Sequence, residues 1–142
     1  MTAQALPLRI DWSETDQLGH VNNVAIVKYC QSARVVYLAH IALPVYPGMA
    51  TGPIEAAATL QFRSQLRYPG NIVVYTRVQS VKTTSFVLEH RIADESGRVA
   101  VRAEEVIVHF DFVRQTKIPL TAAIRDAMAA YAANCTAALP EL

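Results

Sequence analysis

Long unbroken apolar runs are missing from this chain. The longest stretch without Asp, Glu, Lys or Arg, residues 35–54, is interrupted by His40, three prolines and two glycines, so no membrane insertion is expected. Cysteine is scarce. Cys30 and Cys135 lie far apart, in neither CxxC nor metal-ligand spacing, which argues against a disulfide framework and for a reducing, cytoplasmic setting. An excess of one charge is also missing. Thirteen Lys and Arg face 12 Asp and Glu, a net charge of +1, so no nucleic acid is expected as a partner. The four histidines are scattered and give no metal spacing, so neither a metal nor another cofactor is expected. Met1–Leu8 lacks the basic start and apolar core of a secretory signal. No internal repeat or low-complexity block is present.

What is there is an apolar chain of ordinary domain size. At 142 residues and 52% hydrophobic content, residues 1–142 fit one domain, with more apolar surface than a lone monomer needs. A core of that size buries about two-thirds of the unfolded surface. The chain is organised around Ile10–Leu38. A short strand over Leu8–Trp12 leads into a loop, Ser13–Asn22, holding Asp16, Gly19 and His20. Asn22 or Asn23 then caps a helix over Asn23–Ile41. Ile26, Tyr29, Cys30, Ala33, Val36, Tyr37, His40 and Ile41 recur at helical spacing. Val24, Val27, Val35 and Leu38 widen that face, which predicts a helix buried on most sides.

After the Pro/Gly-bearing loop Pro44–Pro53 the period changes to two. Strands are expected over Ile54–Tyr68, Asn71–Val81, Ser85–Ala93 and Arg98–Val113, joined by turns at Pro69-Gly70, Lys82–Thr84 and Asp94–Gly97. In the first, Ala58, Leu60 and Phe62 face one way and Thr59, Gln61 and Arg63 the other. The apolar parity of the last switches near Glu104-Glu105, which predicts a bulge or a change of environment. Pro119 and Thr121 open a last helix with Leu120, Ile124, Met128 and Tyr131 on its inner face, and the Ala-rich end reads as helix and tail. The order predicts an α+β fold, an antiparallel sheet wrapped around one long central helix. The sheet edges need cover, which two protomers paired edge to edge would supply.

The stretch TDQLGHVNNVAIVKYCQSAR resembles the signature of the hotdog-fold acyl-CoA thioesterases, in the 4-hydroxybenzoyl-CoA thioesterase-like group. The shared features are Asp16, Gly19, the run His20-Val21-Asn22-Asn23, and Ala33-Arg34. The GHVNN form is most similar to long-chain acyl-CoA and plant-type acyl-carrier-protein thioesterases. FRSQLRYPGNIVVYTRV, VKTTSFVLEHRI and Lys117-Ile118-Pro119 extend the resemblance over nearly the whole chain. Three positions depart. Ile26 stands where the family often has an aromatic residue, Gln65 where it commonly has Pro, and Leu18 where the carrier-protein enzymes have Asn.

The resemblance implies a hotdog fold with a short C-terminal helix, and hydrolysis of an acyl-CoA or acyl-carrier-protein thioester to a free acid. It also implies a homodimer or homotetramer. Asp16 would be nucleophile or general base, and a backbone N–H of the first helical turn, that of Asn23, the oxyanion donor. His20 orients the thioester or Asp16, or helps cap the loop. From residue types alone, Asp16 reads more readily as a turn or cap residue. Gly19 shapes the loop. The relatives place Lys82, Thr84 and Ser85 by the nucleotide end of coenzyme A, a role a solvated hairpin would not have. Thr59 and Arg63 are candidates for an interface groove. Arg34 either serves the site or fixes the helix to the sheet; His90, His109 and Cys30 read as structural. The alternative is a non-hydrolytic hotdog domain, acyl-binding or dehydratase-like.

Overall fold

The computed structural model describes all 142 residues. Strand β1 (Thr2–Arg9) leads through one 3-10 turn, Trp12–Glu14, into α1 (Asn23–His40). Then come β2 (Thr51–Phe62), β3 (Asn71–Val81), β4 (Ser85–Ala93), β5 (Val99–Asp111), the short β6 (Thr116–Lys117), α2 (Ala122–Asn134) and the short β7 (Ala137–Ala138). The sheet is antiparallel throughout, in the order β2-β5-β4-β3-β1-β7, with β6 on β5. It curls around α1, which makes this the expected α+β hotdog fold. No helix is long and apolar enough to cross a membrane.

Helix α1 starts where Asn22 accepts the Ala25 N–H at 2.7 Å, satisfying one of the orphan donors of the first turn. Ala25, Ile26, Tyr29, Cys30 and Ala33 pack with Ile10, Val74, Ile92 and Val101 in one cluster. Tyr37, Leu38 and Ile41 pack with Phe86, Leu88, Ile107 and α2 in a second. Each fully buried aliphatic side chain contributes about 1.5–3 kcal/mol, so these two clusters hold the helix to the sheet. Thr121 caps α2 through the Ile124 N–H at 3.2 Å, and Ile124 and Met128 are buried as the spacing predicts.

Several expectations need correction. Helix α1 is not buried on most sides. Val24 and Val27 are 72% and 49% exposed, and Val35 and Val36 are exposed as well, because the sheet wraps only one flank and ends at β2. β1 begins at Thr2 rather than Leu8. Pro7 is tolerated inside it because, beyond Ala3, β1 has a strand partner on one side only. β2 does not form a hairpin with β3 across Pro69-Gly70. It ends at Phe62 and pairs with β5. Residues 63–70 instead cross the end of the sheet, anchored by buried Leu66, whose carbonyl accepts the Val21 N–H at 2.8 Å. β5 has no bulge at Glu104-Glu105; of the two expected alternatives it is the environment that changes there. Glu105 stays on the helix side because cationic partners meet it there. The irregularity lies opposite, in β2 between Glu55 and Ala57. Finally, Ala137 and Ala138 form a strand pair with Ala3 and Thr2 instead of a tail.

Candidate active site

Asp16 sits in a clamped loop at the head of α1. Thr15 and Val21 bridge, and the Asn22 N–H donates to the Glu14 carbonyl at 2.9 Å, so the loop is closed at its base. Glu14 fastens that base to the helix. Its Oε1 accepts the Asp11 N–H at 2.7 Å and the Tyr29 hydroxyl at 2.8 Å. Burial, with the Glu14 carboxylate beside it, pushes the Tyr29 hydroxyl far above its usual range, so it stays a donor. Within the loop, Asp16 Oδ1 accepts the N–H groups of Leu18 at 2.8 Å and His20 at 3.1 Å. The Gly19 N–H donates to the Asp16 carbonyl at 3.1 Å, and Gly19 takes φ +79°, where a side chain would be strained.

The same turn occurs a second time in the chain. Asp94 Oδ1 accepts the N–H groups of Ser96 at 2.9 Å and Arg98 at 3.1 Å, and Gly97, at φ +87°, donates to the Asp94 carbonyl. The bonds that Asp16 makes are therefore those of a turn-heading Asp. What differs is its place. The loop of Asp16 opens onto the N-terminus of α1, where Asn22 uses only the Ala25 N–H and the Asn23 and Val24 N–H groups remain at the positive end of the helix dipole. Asp16 Oδ2 makes no bond within the chain. The His20 imidazole makes none either; its backbone bridges to Arg67 on the 63–70 crossing.

A second polar group lies deeper, between α1 and the sheet. Arg34 pairs with Glu105 on β5 and, through Nη1 at 3.1 Å, with Glu55 on β2. His90 Nε2 lies 2.5 Å from Glu105 Oε1, and His90 Nδ1 is 2.8 Å from the Thr76 hydroxyl. His90 and Thr76 are fully buried. Burial on its own would raise the Glu105 carboxyl; the hydrogen bond and charge of His90, with the Arg34 guanidinium, outweigh it and hold the group at about 2. Burial pushes the neighbouring Cys30 thiol up to about 12, which removes it as a nucleophile.

Known proteins point the same way. A family model described as the thioesterase-like superfamily matches residues 10–130. The chain belongs to that superfamily. No curated protein matches it. Among solved structures, the PA2801 protein of Pseudomonas aeruginosa is 23% identical with a TM-score of 0.82, over 89% of this chain and 98% of its own. The gentisyl-coenzyme A thioesterase BH1999 is 24% identical with a TM-score of 0.78, over 88% and 99%. The DHNA-CoA thioesterase of Staphylococcus aureus is 18% identical with a TM-score of 0.79, over 94% and 91%. At such identities the likeness is one of fold.

Within this thioesterase-like fold the candidate residues separate into three places. Asp16, Gly19, His20 and Asn23 share the loop and helix head. Thr59 is paired opposite Glu104, on the sheet face turned away from α1, and Arg63 is exposed just past the end of β2. Lys82, Thr84 and Ser85 form the β3–β4 hairpin, at the other end of β3 from Asn71, the end that adjoins the Asp16 side. One chain therefore does not bring the hairpin to Asp16. Two features escaped the sequence. Arg125 of α2 covers the hairpin, donating to the Lys82 carbonyl at 2.8 Å. Glu55 and Glu105 converge on Arg34 from different strands, 21 and 71 residues away along the chain, and no local spacing reveals that.

Proposed function

We infer that the protein is an acyl-CoA thioesterase, hydrolysing a thioester to a free carboxylic acid, with Asp16 as nucleophile or general base. The observation that carries this is the placement of a carboxylate with one free oxygen, Oδ2, on a rigid loop at the head of α1. Membership of the thioesterase-like superfamily supports the reaction class. Thioester attack converts a carbonyl oxygen to an oxyanion. The Asn23 and Val24 N–H groups stabilise that charge as it forms, aided by the helix dipole. Asp16 Oδ1 is held by two backbone donors, which fixes the carboxylate and leaves Oδ2 for the carbonyl carbon or a water. His20 shares the loop and orients the substrate.

A second copy of the chain completes the site in this reading. β2 pairs with β5 alone, so its outer edge is open along Thr51–Phe62, beside the exposed Val24, Val27 and Val35 of α1. An edge this long beside an apolar stripe calls for cover. Antiparallel pairing of two β2 edges sets the Phe62 end of one against the Thr51 end of the other. The Lys82–Ser85 hairpin of one protomer then approaches the Asp16 loop of its partner. Lys82 and Arg125 together suit a coenzyme A phosphate there. The names of the BH1999 and Staphylococcus aureus enzymes make CoA thioesters the first donors to try.

The test is a panel of aromatic, short-chain and long-chain acyl-CoA thioesters, read by release of free thiol. Turnover of one class above the rest supports the reading. No turnover of any, or of the matching carrier-protein thioesters, leaves the non-hydrolytic acyl-binding reading in its place.

A further inference from the structure

The two Asp-headed turns are held in different ways. The turn at Asp94 closes a hairpin, and the β4–β5 ladder, which pairs Ala93 with Val99, carries its ends. The turn at Asp16 closes no ladder. Its flanks are tied by the single Thr15–Val21 bridge, and its far side by the His20–Arg67 bridge. A loop held by isolated bridges opens more readily than a hairpin end, because fewer backbone bonds break when it does. A reacting carboxylate needs the opposite, a fixed place.

Side chains supply the missing ties, and they meet at Glu14. Its carbonyl accepts the Asn22 N–H at 2.9 Å, which joins the loop entry to the cap of α1. Its Oε1 accepts the Asp11 N–H at 2.7 Å and the Tyr29 hydroxyl at 2.8 Å. Lys28 Nζ stands 3.9 Å from Oε2 on an exposed side chain and adds little. Tyr29, in the second turn of α1, is therefore the helix side chain that hydrogen-bonds to this segment.

Packing alone does not ask for that hydroxyl. Tyr29 is 4% exposed, in the cluster that holds Ile10, Val21, Ala25 and Ile26. A phenylalanine would fill the same space. A buried hydroxyl costs stability unless it is bonded, and the one partner of this hydroxyl is Glu14, two residues before Asp16.

We propose that Tyr29 is a positioning residue for Asp16: through Glu14 it pins the Asp16 loop to α1 and holds Oδ2 at the head of the helix. The inference rests on the reading of Asp16 as nucleophile or general base. Its structural half, the pin itself, can be measured without any substrate.

The test pairs amide hydrogen exchange with steady-state kinetics on Tyr29→Phe, Glu14→Ala, Glu14→Gln and the double variant Tyr29→Phe/Glu14→Ala. In Tyr29→Phe the Leu18 and His20 N–H groups, which donate to Asp16 Oδ1, exchange about five- to tenfold faster, the worth of one hydrogen bond. The Ser96 and Arg98 N–H groups of the matching turn keep their wild-type rates, which also certifies that the variant is folded. With the thioester that wild type hydrolyses best, kcat falls about tenfold or more while KM stays within about twofold. Glu14→Ala shows the same pattern, and Tyr29→Phe adds nothing to it in the double variant, because Tyr29 acts through Glu14. Glu14→Gln retains most of the wild-type kcat, since its amide oxygen accepts the same two bonds. Unchanged exchange at Leu18 and His20, equal acceleration at both turns, wild-type kcat in Tyr29→Phe, or losses that multiply in the double variant would each overturn the proposal. A wild type that turns over no thioester refutes the hydrolase reading and the catalytic half of this inference with it, and the exchange rates then decide the pin alone.

Discussion

Replacing Glu105 by Leu tests the polar group beneath α1. The substitution fills similar space but leaves Arg34, whose side chain is 16% exposed, with only the half-buried Glu55, and leaves the buried His90 with Thr76 alone. Removing one member of a buried pair strands the other charge and costs about 3–5 kcal/mol. For a chain of 142 residues each kcal/mol lowers Tm by about 3–4 °C, so the loss is about 10–20 °C. The assay is thermal unfolding followed by circular dichroism at one fixed protein concentration, because association also moves Tm. The double variant Arg34→Met/Glu105→Leu removes both charges. It should regain most of the lost stability, since an apolar replacement of a buried pair is often neutral or better. Glu55 then takes up a proton at little cost, being near the surface. A Glu105→Leu variant within about 1 kcal/mol of wild type would refute the reasoning. So would a double variant as unstable as the sum of the two single ones.

Acid should unfold the protein through the same group. The folded Glu105 carboxyl holds its proton more weakly than the unfolded one, so its contribution is complete above the usual carboxylate range and is lost as pH falls toward 2; Glu105→Gln should flatten that part of a Tm-against-pH curve. Val27→Lys, on the exposed stripe of α1 beside the β2 edge, should convert a light-scattering dimer to monomer at micromolar concentration with the fold intact, and a wild type that is monomeric already would exclude the two-chain site. Lys82→Ala should raise KM for CoA thioesters more than it lowers kcat, because a remote phosphate contact contributes mostly uniform binding. Equal KM values would remove the β3–β4 hairpin from the donor site.

The parts of the fold that were legible in the sequence are those written locally. The α1 start follows from Asn22 as cap, the α2 start from Thr121, and the β4–β5 turn from Asp94 and Gly97, each needing only a few adjacent residues. The loop of Asp16 was legible for the same reason. Pairing between distant segments was not. The alternation in β2 is satisfied equally by β3 or β5 as neighbour, and the choice of β5 depends on Leu66 and the crossing segment. The charge at Glu105 reads in sequence as a break in parity, because its partners Arg34 and His90 come from other elements. The exposed valines of α1 satisfy a buried-helix pattern, although the sheet leaves that flank of the helix open.

The recurrence of one turn in two places supplies the most direct test of Asp16. Asp16 and Asp94 accept matching pairs of backbone N–H groups through Oδ1 and are each followed, three residues on, by a glycine at positive φ; Asp94 adds the Ser96 hydroxyl and the Arg98 guanidinium. An Asn amide oxygen can accept the same N–H groups. Asp16→Asn and Asp94→Asn should therefore each change stability little, within about 1 kcal/mol, with Asp94→Asn the more costly of the two. Only Asp16 adjoins the head of α1. With the thioester that wild type hydrolyses best, Asp16→Asn should lose about 10²–10⁴ in kcat, the usual worth of a general base, while Asp94→Asn stays near wild type. Wild-type turnover in Asp16→Asn, or an equal loss in both variants, would contradict a catalytic Asp16.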